Sequence, residues 1–371
     1  MQTILSIVSY PFLPARQGGQ KMIALFNKYM ARKTRLICVT TKNNEPSAAE
    51  GYTVLKPISN SPLRYINLFL FFSIRKIIRQ EKVSHIIIEH PYYGWLGMLL
   101  KWSGKEKLIV HSHNIESLRW KVLGKWWWPI LGVYEKWTHR RADFNFFIQE
   151  PDMAYAIRNF KLDPSKCMLV PYGTTAAGVP SISERQRCRK LLEDSHGISP
   201  GDRIFLFNGL LSYPPNLKAV RMIITKILPL FGQEFTGYKI LICGKGLPRE
   251  VSEEISQTGG RIIYAGFVDD IDIYFKGADV FINPVNEGGG MKTKLVEALA
   301  ANLYCVSTQS GATGISNQLT GPGLAIVADE DWQAFANAMA APMPKDDVAP
   351  AFFRQFSWEH IAEKAVAFIN A

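Results

Sequence analysis

Short apolar runs alternate with longer mixed segments along almost the whole chain, a pattern typical of strands that alternate with helices. The segments between the runs are long enough for crossover helices, which join parallel strands. The sequence therefore predicts parallel sheets covered by helices on both faces. The predicted strands are residues 3–8, 35–40, 85–89, 108–111, 144–148 and 168–170, followed by 203–207, 239–242, 262–264, 280–282, 304–307 and 323–327.

The alternation stops once, at residues 170–180, where the sequence VPYGTTAAGVP predicts a linker. A chain of 371 residues is long for one core and suits two domains. We predict an α/β protein with two doubly wound domains, residues 1–171 and 172–350. A last helix lies in residues 351–371.

The junction FINPVNEGGGMKTKLVEALA, residues 281–300, is the most informative segment for function. A strand-like run enters three glycines, which can adopt positive φ and let a ligand approach the backbone. The helix that follows offers unpaired N–H groups at the positive end of its dipole. The glycines are Gly288, Gly289 and Gly290, and the first helical residues are Met291, Lys292 and Thr293.

Charged side chains complete this junction. Lys292 and Lys294 add two cations, and Glu297 lies one helical turn after Lys294. N–H groups and lysines suit phosphates, and a carboxylate suits ribose hydroxyls. The junction therefore predicts a site for a nucleoside diphosphate. The alternative is an ordinary glycine-rich turn between a strand and a helix.

Composition narrows the class of protein. Hydrophobic residues make up 47% of the chain, enough for sizeable cores, and the five cysteines are scattered without a C-x-x-C pair. We expect a reduced, cytosolic compartment and no structural zinc. The N-terminus lacks the pattern of an export signal. The apolar stretch at residues 65–74 is too short to span a bilayer.

The net charge of +11 is concentrated in the first half of the chain. Residues 1–170 contain 25 Lys and Arg against 11 Asp and Glu, and the remainder contains 18 against 21. Seven of the nine tryptophans lie between Trp95 and Trp137, most densely in the basic run from Lys121 to Arg141. This mixture is typical of contact with an anionic membrane. The alternatives are core packing and a nucleic-acid surface; we favour the membrane and expect no nucleic-acid partner.

Several strings, in order, resemble the retaining GT-B glycosyltransferases of family 4. In the second half these are FNGLLSYPPNLKAV, LICGKG, YAGFVDDIDIYFKGADVFINP and FSWEHIAEKAVAFI. In the first half they are the double glycine after the first strand, HSHNIE and YEKWTHRRADF. The chain resembles the branch of the family in which a glycine-rich loop is followed by Lys-x-Lys.

The resemblance implies two Rossmann-like domains that face each other across a cleft, with the nucleotide held mainly by the second. It also implies that the last helix crosses back to the first domain. Besides the glycine-rich junction, the implied donor-binding residues are Gly18, Gly19, Gly209, Gly244, Lys245, Phe267 and Val268.

The implied catalytic residues are His113, Lys294 and Glu297. His113 follows a predicted strand and would donate a hydrogen bond to the donor sugar or leaving phosphate, and Glu297 would bind the ribose. The family's second glutamate would fall at Gly289, and Glu287 is its possible substitute. This departure leaves the donor sugar open.

Asp270 and Asp272 have the D-x-D spacing of a metal site, but they stand where a helix begins. Aspartates at such positions cap N–H groups. We therefore expect a metal-independent enzyme. We also expect no cofactor, because the nucleotide-sugar is a substrate.

The predicted function is transfer of a sugar from a nucleotide-sugar to a glycan or polyprenyl-linked acceptor, with retention of configuration, in cell-surface polysaccharide or glycoconjugate synthesis. The predicted location is the cytoplasm, peripheral on the inner face of the cell membrane. The alternatives are a GT-B epimerase or phosphorylase, and a non-catalytic protein that binds membranes or nucleic acid.

Overall fold

The computed structural model describes residues 2–16, 18–231, 236–287 and 291–371. The chain divides into two compact units, here called the first and second domains. The first contains Met1–Gly173 and Trp358–Ala371, and the second contains Thr174–Ser357. Within the described ranges, no helix combines the length and the apolar character needed to cross a bilayer.

The first domain contains a parallel sheet of seven strands in the order β3-β2-β1-β4-β5-β6-β7. Its central strands are buried on both faces, which explains runs such as HIIIE in β4. The strands are β1 Thr3–Ile7, β2 Arg35–Thr41, β3 Thr53–Ile58, β4 His85–Glu89, β5 Lys107–Ser112, β6 Phe144–Phe147 and β7 Cys167–Leu169.

The second domain repeats this architecture with six parallel strands in the order β10-β9-β8-β11-β12-β13. In both sheets the strand order reverses beside the first strand, and ligands of such sheets bind at the carboxyl ends of the strands there. The strands are β8 Arg203–Asn208, β9 Tyr238–Cys243, β10 Ile262–Gly266, β11 Val280–Asn283, β12 Tyr304–Thr308 and β13 Leu324–Val327.

Helices connect the strands, and two of them, α6 and α8, continue into a π-helical turn. The first-domain helices are α1 Gly18–Ala31, α2 Phe69–Glu81, α3 Gly94–Trp102, α4 Glu116–Val122, α5 Trp128–Arg141 and α6 Glu150–Tyr155. Those of the second domain are α7 Ile182–His196, α8 Pro214–Met222, α9 Arg249–Ser256, α10 Ile271–Gly277, α11 Thr293–Ala300, α12 Asn317–Thr320, α13 Trp332–Ala340 and α14 Pro350–Phe356.

The last helix, α15 (Trp358–Asn370), packs against α1 of the first domain. Trp358 is fully buried there and stacks on Tyr29, while Lys33 pairs with Glu359 at 2.7 Å. The ion pair is partly exposed and contributes little. Burial of a whole tryptophan is the main force that holds α15 in place.

The other face of the first sheet is covered by α2, α3 and α5, which lie side by side with α3 in the middle. Apolar residues of α2 and α3, such as Ile74 and Leu96, pack with the sheet in one core, and Trp137 of α5 packs against it. This layer separates the sheet from solvent on that face.

All twelve predicted strands are present, and the prediction of two doubly wound α/β domains is confirmed. The sequence pattern missed β3. This edge strand is mostly half-exposed and contains Pro57, which an edge strand tolerates because one side forms no ladder.

Candidate active site

The loops after β8 and β9 cross at two glycines, at the carboxyl edge of the second sheet. A Cβ on Gly244, which has φ of 144°, would lie 1.8 Å from the carbonyl oxygen of Gly209. A Cβ on Gly209 would lie 2.6 Å from Asn216 Nδ2. The Gly209 N–H also donates to the Cys243 carbonyl at 3.0 Å. Side chains are excluded at this crossing, so backbone groups line it.

Lys294 of α11 points toward this crossing. Its Nζ donates to the carbonyl of Asn208 at 3.2 Å and to Asn216 Oδ1 at 3.1 Å, and lies 4.2 Å from the centre of the Phe207 ring. Burial, and to a smaller extent the charge of Lys292, lower the pKa of Lys294 to about 7. A cation desolvated in this way gains strongly from a bound anion.

The start of α11 supplies further anion-binding groups. Lys292 precedes the first helical residue, Thr293, and no described side chain caps this end of the helix. Burial lowers the pKa of Lys292 to about 8. Two desolvated lysines therefore adjoin the positive end of a helix dipole. The remaining residues predicted for this loop, Gly288, Gly289 and Gly290, lie outside the described residues.

The other predicted donor residues of the second domain lie on neighbouring loops. Lys245 follows Gly244, is exposed, and accepts the Leu211 N–H at its carbonyl. Phe267 is exposed and Val268 is half-buried after β10. In α11 and just before it, Met291 and Glu297 are half-buried. Glu287, the possible substitute for the missing glutamate, pairs with Lys218 on the surface.

Asp270 caps α10, as predicted. Its Oδ1 accepts the N–H of Asp272 at 3.0 Å. The capping role is confirmed, and it accounts for the D-x-D spacing without a ligand.

In the first domain the predicted glycines stand where α1 begins. Gly18 is the first residue of the helix, and a Cβ built on Gly19 would meet no atom within 4 Å. The space beside Gly19 is open to a ligand.

His113 lies just beyond the end of β5 and bonds to a buried carboxylate. Its Nε2 is 2.8 Å from Glu89 Oε2, at the end of β4. His111 Nδ1 lies 3.0 Å from the same oxygen but off the line that a hydrogen bond requires, so neither ring nitrogen of His111 forms a hydrogen bond within the described residues. Burial raises the pKa of Glu89, but His111 and His113 outweigh it and hold that pKa well below its usual range.

This geometry fixes the proton of His113. An ionised carboxylate only accepts, so His113 Nε2 carries the hydrogen. Burial lowers the pKa of His113, which keeps the ring neutral and leaves Nδ1 with a lone pair. With its hydrogen on Nε2, the neutral ring offers an acceptor at Nδ1, whereas the sequence resemblance implies a donor toward the substrate; that expectation stays a prediction.

A second imidazole–carboxylate pair adjoins the first. His90 Nδ1 is 3.0 Å from Glu116 Oε1, and the His90 and His113 rings are 4.3 Å apart. Tyr92 donates to Glu116 Oε2 at 2.6 Å, and Tyr10 lies 3.3 Å from His90 Nε2. The sequence interpretation missed Glu89, His90 and Tyr92, although the string EHPYYG stands directly at the end of a buried strand.

Glu135 of α5 holds in place the backbone that carries Glu116 of this pair. Its carboxylate accepts the Glu116 N–H at 2.7 Å and the Ser117 N–H at 2.9 Å, at the start of α4. Three hydrogen bonds, including one from the Ser117 hydroxyl, thus hold the backbone that carries Glu116.

One group of described side chains has the spacing of metal ligands: donor atoms of Glu89, His111 and His113 all lie within 4.8 Å of one another. Nitrogen and carboxylate ligands of this kind suit a cation such as zinc. The hydrogen bond between His113 Nε2 and Glu89 Oε2 shows that a hydrogen atom, in place of a metal ion, can join two of these side chains.

The two halves of the chain match two family models. Residues 17–176 match the model described as Glycosyltransferase Family 4, and residues 202–343 match Glycosyl transferases group 1. The chain carries these two domains in the order that the sequence resemblance implied.

Solved structures share the fold over the whole chain. Sucrose-phosphate synthase from Thermosynechococcus elongatus has a TM-score of 0.73 at 16% identity, covering 100% of this chain and 98% of that one. HepE of Anabaena, in complex with UDP and glucose, has a TM-score of 0.72 at 14% identity over 100% of both chains. WaaG, a glycosyltransferase involved in lipopolysaccharide biosynthesis, has a TM-score of 0.61 at 12% identity, covering 100% and 95%. The fold is that of the GT-B glycosyltransferases.

A protein of Klebsiella pneumoniae, described as an uncharacterized 44.6 kDa protein in the cps region, is 30% identical over 131 residues. The match covers 34% of this chain and 34% of that protein. The chain thus matches about a third of the length of this relative.

Proposed function

We propose that this chain, which carries a glycosyltransferase family 4 domain followed by a group 1 domain, transfers a sugar from a nucleotide-sugar to a glycan or lipid-linked acceptor. In this proposal the second domain binds the nucleotide diphosphate. The first domain supplies His113 and the acceptor side.

The observation that carries the proposal is the pair of desolvated lysines at the start of α11. Burial lowers the pKa of Lys292 to about 8 and that of Lys294 to about 7, a cost that an anion would offset. The glycine crossing beside Lys294 leaves backbone groups open to phosphate oxygens. HepE of Anabaena, which shares the fold, was solved with UDP and glucose, which supports a uridine nucleotide as the first donor to try.

The proposed chemistry proceeds with retention of configuration. The acceptor hydroxyl attacks the anomeric carbon from the side that the diphosphate leaves, and the departing phosphate takes the hydroxyl proton. The C–O bond to phosphate breaks as the bond to the acceptor forms, so no side-chain nucleophile is required. Lys292 and Lys294 stabilise the charge that develops on the leaving group, and Glu297 binds the ribose.

The proposed acceptor is a membrane-bound glycoconjugate, in cell-surface polysaccharide synthesis. The relative in the cps region and the shared fold with a lipopolysaccharide enzyme support this class. In the basic run from Lys121 to Arg141, Trp126 is 81% exposed, whereas Trp127 and Trp128 are half-buried. The expectation that this run contacts the membrane thus rests on Trp126 and the exposed cations.

A thermal-shift screen against a panel of nucleotide-sugars tests the proposed donor class. A ligand present at 100 times its dissociation constant stabilises the native state by about 2.7 kcal/mol. We expect one nucleotide-sugar to raise the melting temperature by several degrees. The protein should also hydrolyse that nucleotide-sugar slowly when no acceptor is present. If no nucleotide or nucleotide-sugar shifts the transition, the proposed function is wrong.

Chelation tests the expectation of metal independence. We expect turnover to survive EDTA and to remain unchanged when magnesium or manganese is added, because the lysines and the helix dipole stabilise the leaving diphosphate. Loss of turnover on chelation would contradict this. Restoration by zinc would assign the metal to Glu89, His111 and His113, whereas restoration by magnesium would point to Asp270 and Asp272.

A further inference from the structure

Large hydrophobic side chains are exposed mainly on one part of the first domain. Of nineteen such side chains in the described part of the protein, twelve lie between Leu63 and Val133. Most of these fall into two stretches, which we call the α2 segment (residues 62–79) and the tryptophan segment (residues 119–133). An apolar surface this dense is uncommon on a protein that remains free in water.

The α2 segment is apolar on both sides. Its inner side chains, such as Leu70 and Ile74, are buried in the core. On the outer side, Phe69 and Phe72 are 80% and 67% exposed. An ordinary surface helix is polar on its outer face. The outer aromatics thus lie outside the core and are available to an apolar phase outside the protein.

Further along the same outer stripe the helix becomes basic. Lys76 and Arg79 follow Phe72 at helical spacing, and neither forms an ion pair within the described residues. A groove of about 500 Å³ beside them is lined by Phe72, both cations and Arg75, whose charge is already paired with Glu106 at 2.8 Å. Aromatic side chains followed by unpaired cations match the order of acyl region and headgroup in a lipid monolayer.

The charged residues within the two stretches of chain that contain these segments are all basic. Residues 51–80 contain five Lys or Arg and residues 117–134 contain three, and neither stretch contains Asp or Glu. A second copy of this surface would be repelled by it, whereas an anionic surface would be attracted.

Both segments begin at the carboxyl edge of the sheet, where the His–Glu cluster of Glu89, His90, His113 and Glu116 is found, and α2 then runs toward the opposite edge, near which Arg75 bonds to Glu106. Helices that join parallel strands begin at the carboxyl ends of those strands, and α2 and α5 follow this rule. Direct contacts confirm it: Tyr65 packs on Tyr92 with ring centres 5.9 Å apart, and Trp120 donates to the Tyr92 hydroxyl at 3.0 Å. Tyr92 in turn bonds to Glu116. The two apolar segments therefore flank this part of the first domain.

We infer that the α2 segment and the tryptophan segment together dock the first domain on an anionic bilayer, with the outer face of the helix layer against the lipid and the edge that carries His113 and Glu116 beside it. The inference rests on the proposed function in one respect, the arrival of a lipid-linked acceptor at that edge. Exposed apolar side chains enter the boundary between headgroups and acyl chains. The cations bind lipid phosphates.

Vesicle co-sedimentation tests this docking with the whole 371-residue chain. The probes are vesicles of phosphatidylcholine alone and of phosphatidylcholine with phosphatidylglycerol. We expect wild type to prefer the anionic vesicles and to be partly released by salt, because screening weakens only the ionic part of binding. Phe69→Ser/Phe72→Ser should bind about tenfold more weakly. The matched control Ile182→Ser/Leu191→Ser, on exposed positions of α7 in the second domain, should bind like wild type.

Charge variants measure the ionic contribution to vesicle binding. Lys76→Gln/Arg79→Gln should bind anionic vesicles more weakly and lose part of the salt dependence. Lys364→Gln, at an exposed position of α15 on the other face of the sheet, should change neither the binding to anionic vesicles nor its salt dependence. The tryptophan segment is tested by Trp126→Ala, since that side chain is exposed and its removal leaves the core intact.

Three results would overturn the inference. The first is equal vesicle binding by wild type and Phe69→Ser/Phe72→Ser, and the second is no binding by wild type. The third is a wild-type dimer that becomes monomeric in this variant, which would assign the surface to self-association. The thermal shift with nucleotide-sugar is measured on the same samples. If Phe69→Ser/Phe72→Ser retains the thermal shift but loses vesicle binding, the inference is supported. If wild type shows no thermal shift, only the proposed function is contradicted.

Discussion

Lys294→Met is expected to weaken binding of the nucleotide-sugar by roughly 10- to 100-fold while the protein stays folded. The side chain is desolvated and its Nζ is held by Asn208 and Asn216, next to the glycine crossing. A charge-assisted hydrogen bond at such a site contributes about 1.5–3 kcal/mol to binding. Methionine keeps the length and the apolar stem but lacks the charge. Isothermal titration with the nucleotide-sugar identified in the panel measures the loss.

The control for Lys294→Met is Lys226→Met, an exposed cation of the same domain. It should leave donor affinity unchanged. In the thermal-shift assay without ligand, Lys294→Met should melt no lower than wild type, because it removes a buried charge. Unchanged donor affinity in Lys294→Met would remove α11 from the site.

The pH dependence of donor affinity identifies the same group independently. The pKa of Lys294 is about 7 and that of Lys292 about 8 in the free protein, both lowered by burial. An anionic diphosphate binds the protonated lysines, so above these values binding must take up protons. Affinity should fall as pH rises, by up to about tenfold per pH unit for each proton taken up. In Lys294→Met the fall should begin about one pH unit later, near pH 8.

The sequence predicted the regular part of the fold because burial on both faces leaves a strong signal. Continuous apolar runs such as III in β4 and LIV in β5 indicated central strands. The edge strand β3 was missed because only Ile58 of its six residues is buried and Pro57 interrupts its pattern. Edge strands obey weaker constraints than central ones, and they leave weaker patterns.

The sequence predicted the part of the candidate site whose functional residues are close neighbours along the chain. The two lysines and Glu297 lie within six residues, so their spacing alone indicated an anion site. The His–Glu cluster was only partly predicted, because Glu89 and His113 come from different strands and meet only through strand pairing. The desolvation of Lys294 depends on packing against Phe207, which no local pattern contains.

Glu89→Gln is expected to lower turnover by about 100-fold with little change in the KM for the donor. Glu89 is a positioning residue: its carboxylate accepts from His113 Nε2 at 2.8 Å and so holds the hydrogen on that nitrogen. A glutamine can turn its NH₂ toward the ring, which would move the hydrogen to Nδ1. Nδ1 would then donate instead of accept, the wrong polarity for a substrate hydroxyl. Misdirected protons at such a site cost about 10²- to 10⁴-fold in rate.

Three comparisons distinguish this role from a merely structural one. His139→Gln removes another buried imidazole of the first domain, bonded to Asn145 at 2.8 Å, and should lower stability without lowering kcat of the folded enzyme. Glu89→Asp keeps the charge and should recover part of the turnover that Glu89→Gln loses, because a carboxylate only accepts. The pH profile of kcat should change in Glu89→Gln, since the carboxylate that is hydrogen-bonded to His113 and raises its pKa is gone, and only the charge of Glu116 remains to raise it. If Glu89→Gln turns over like wild type with an unchanged pH profile, His113 does not depend on Glu89, and the buried pair serves only the fold.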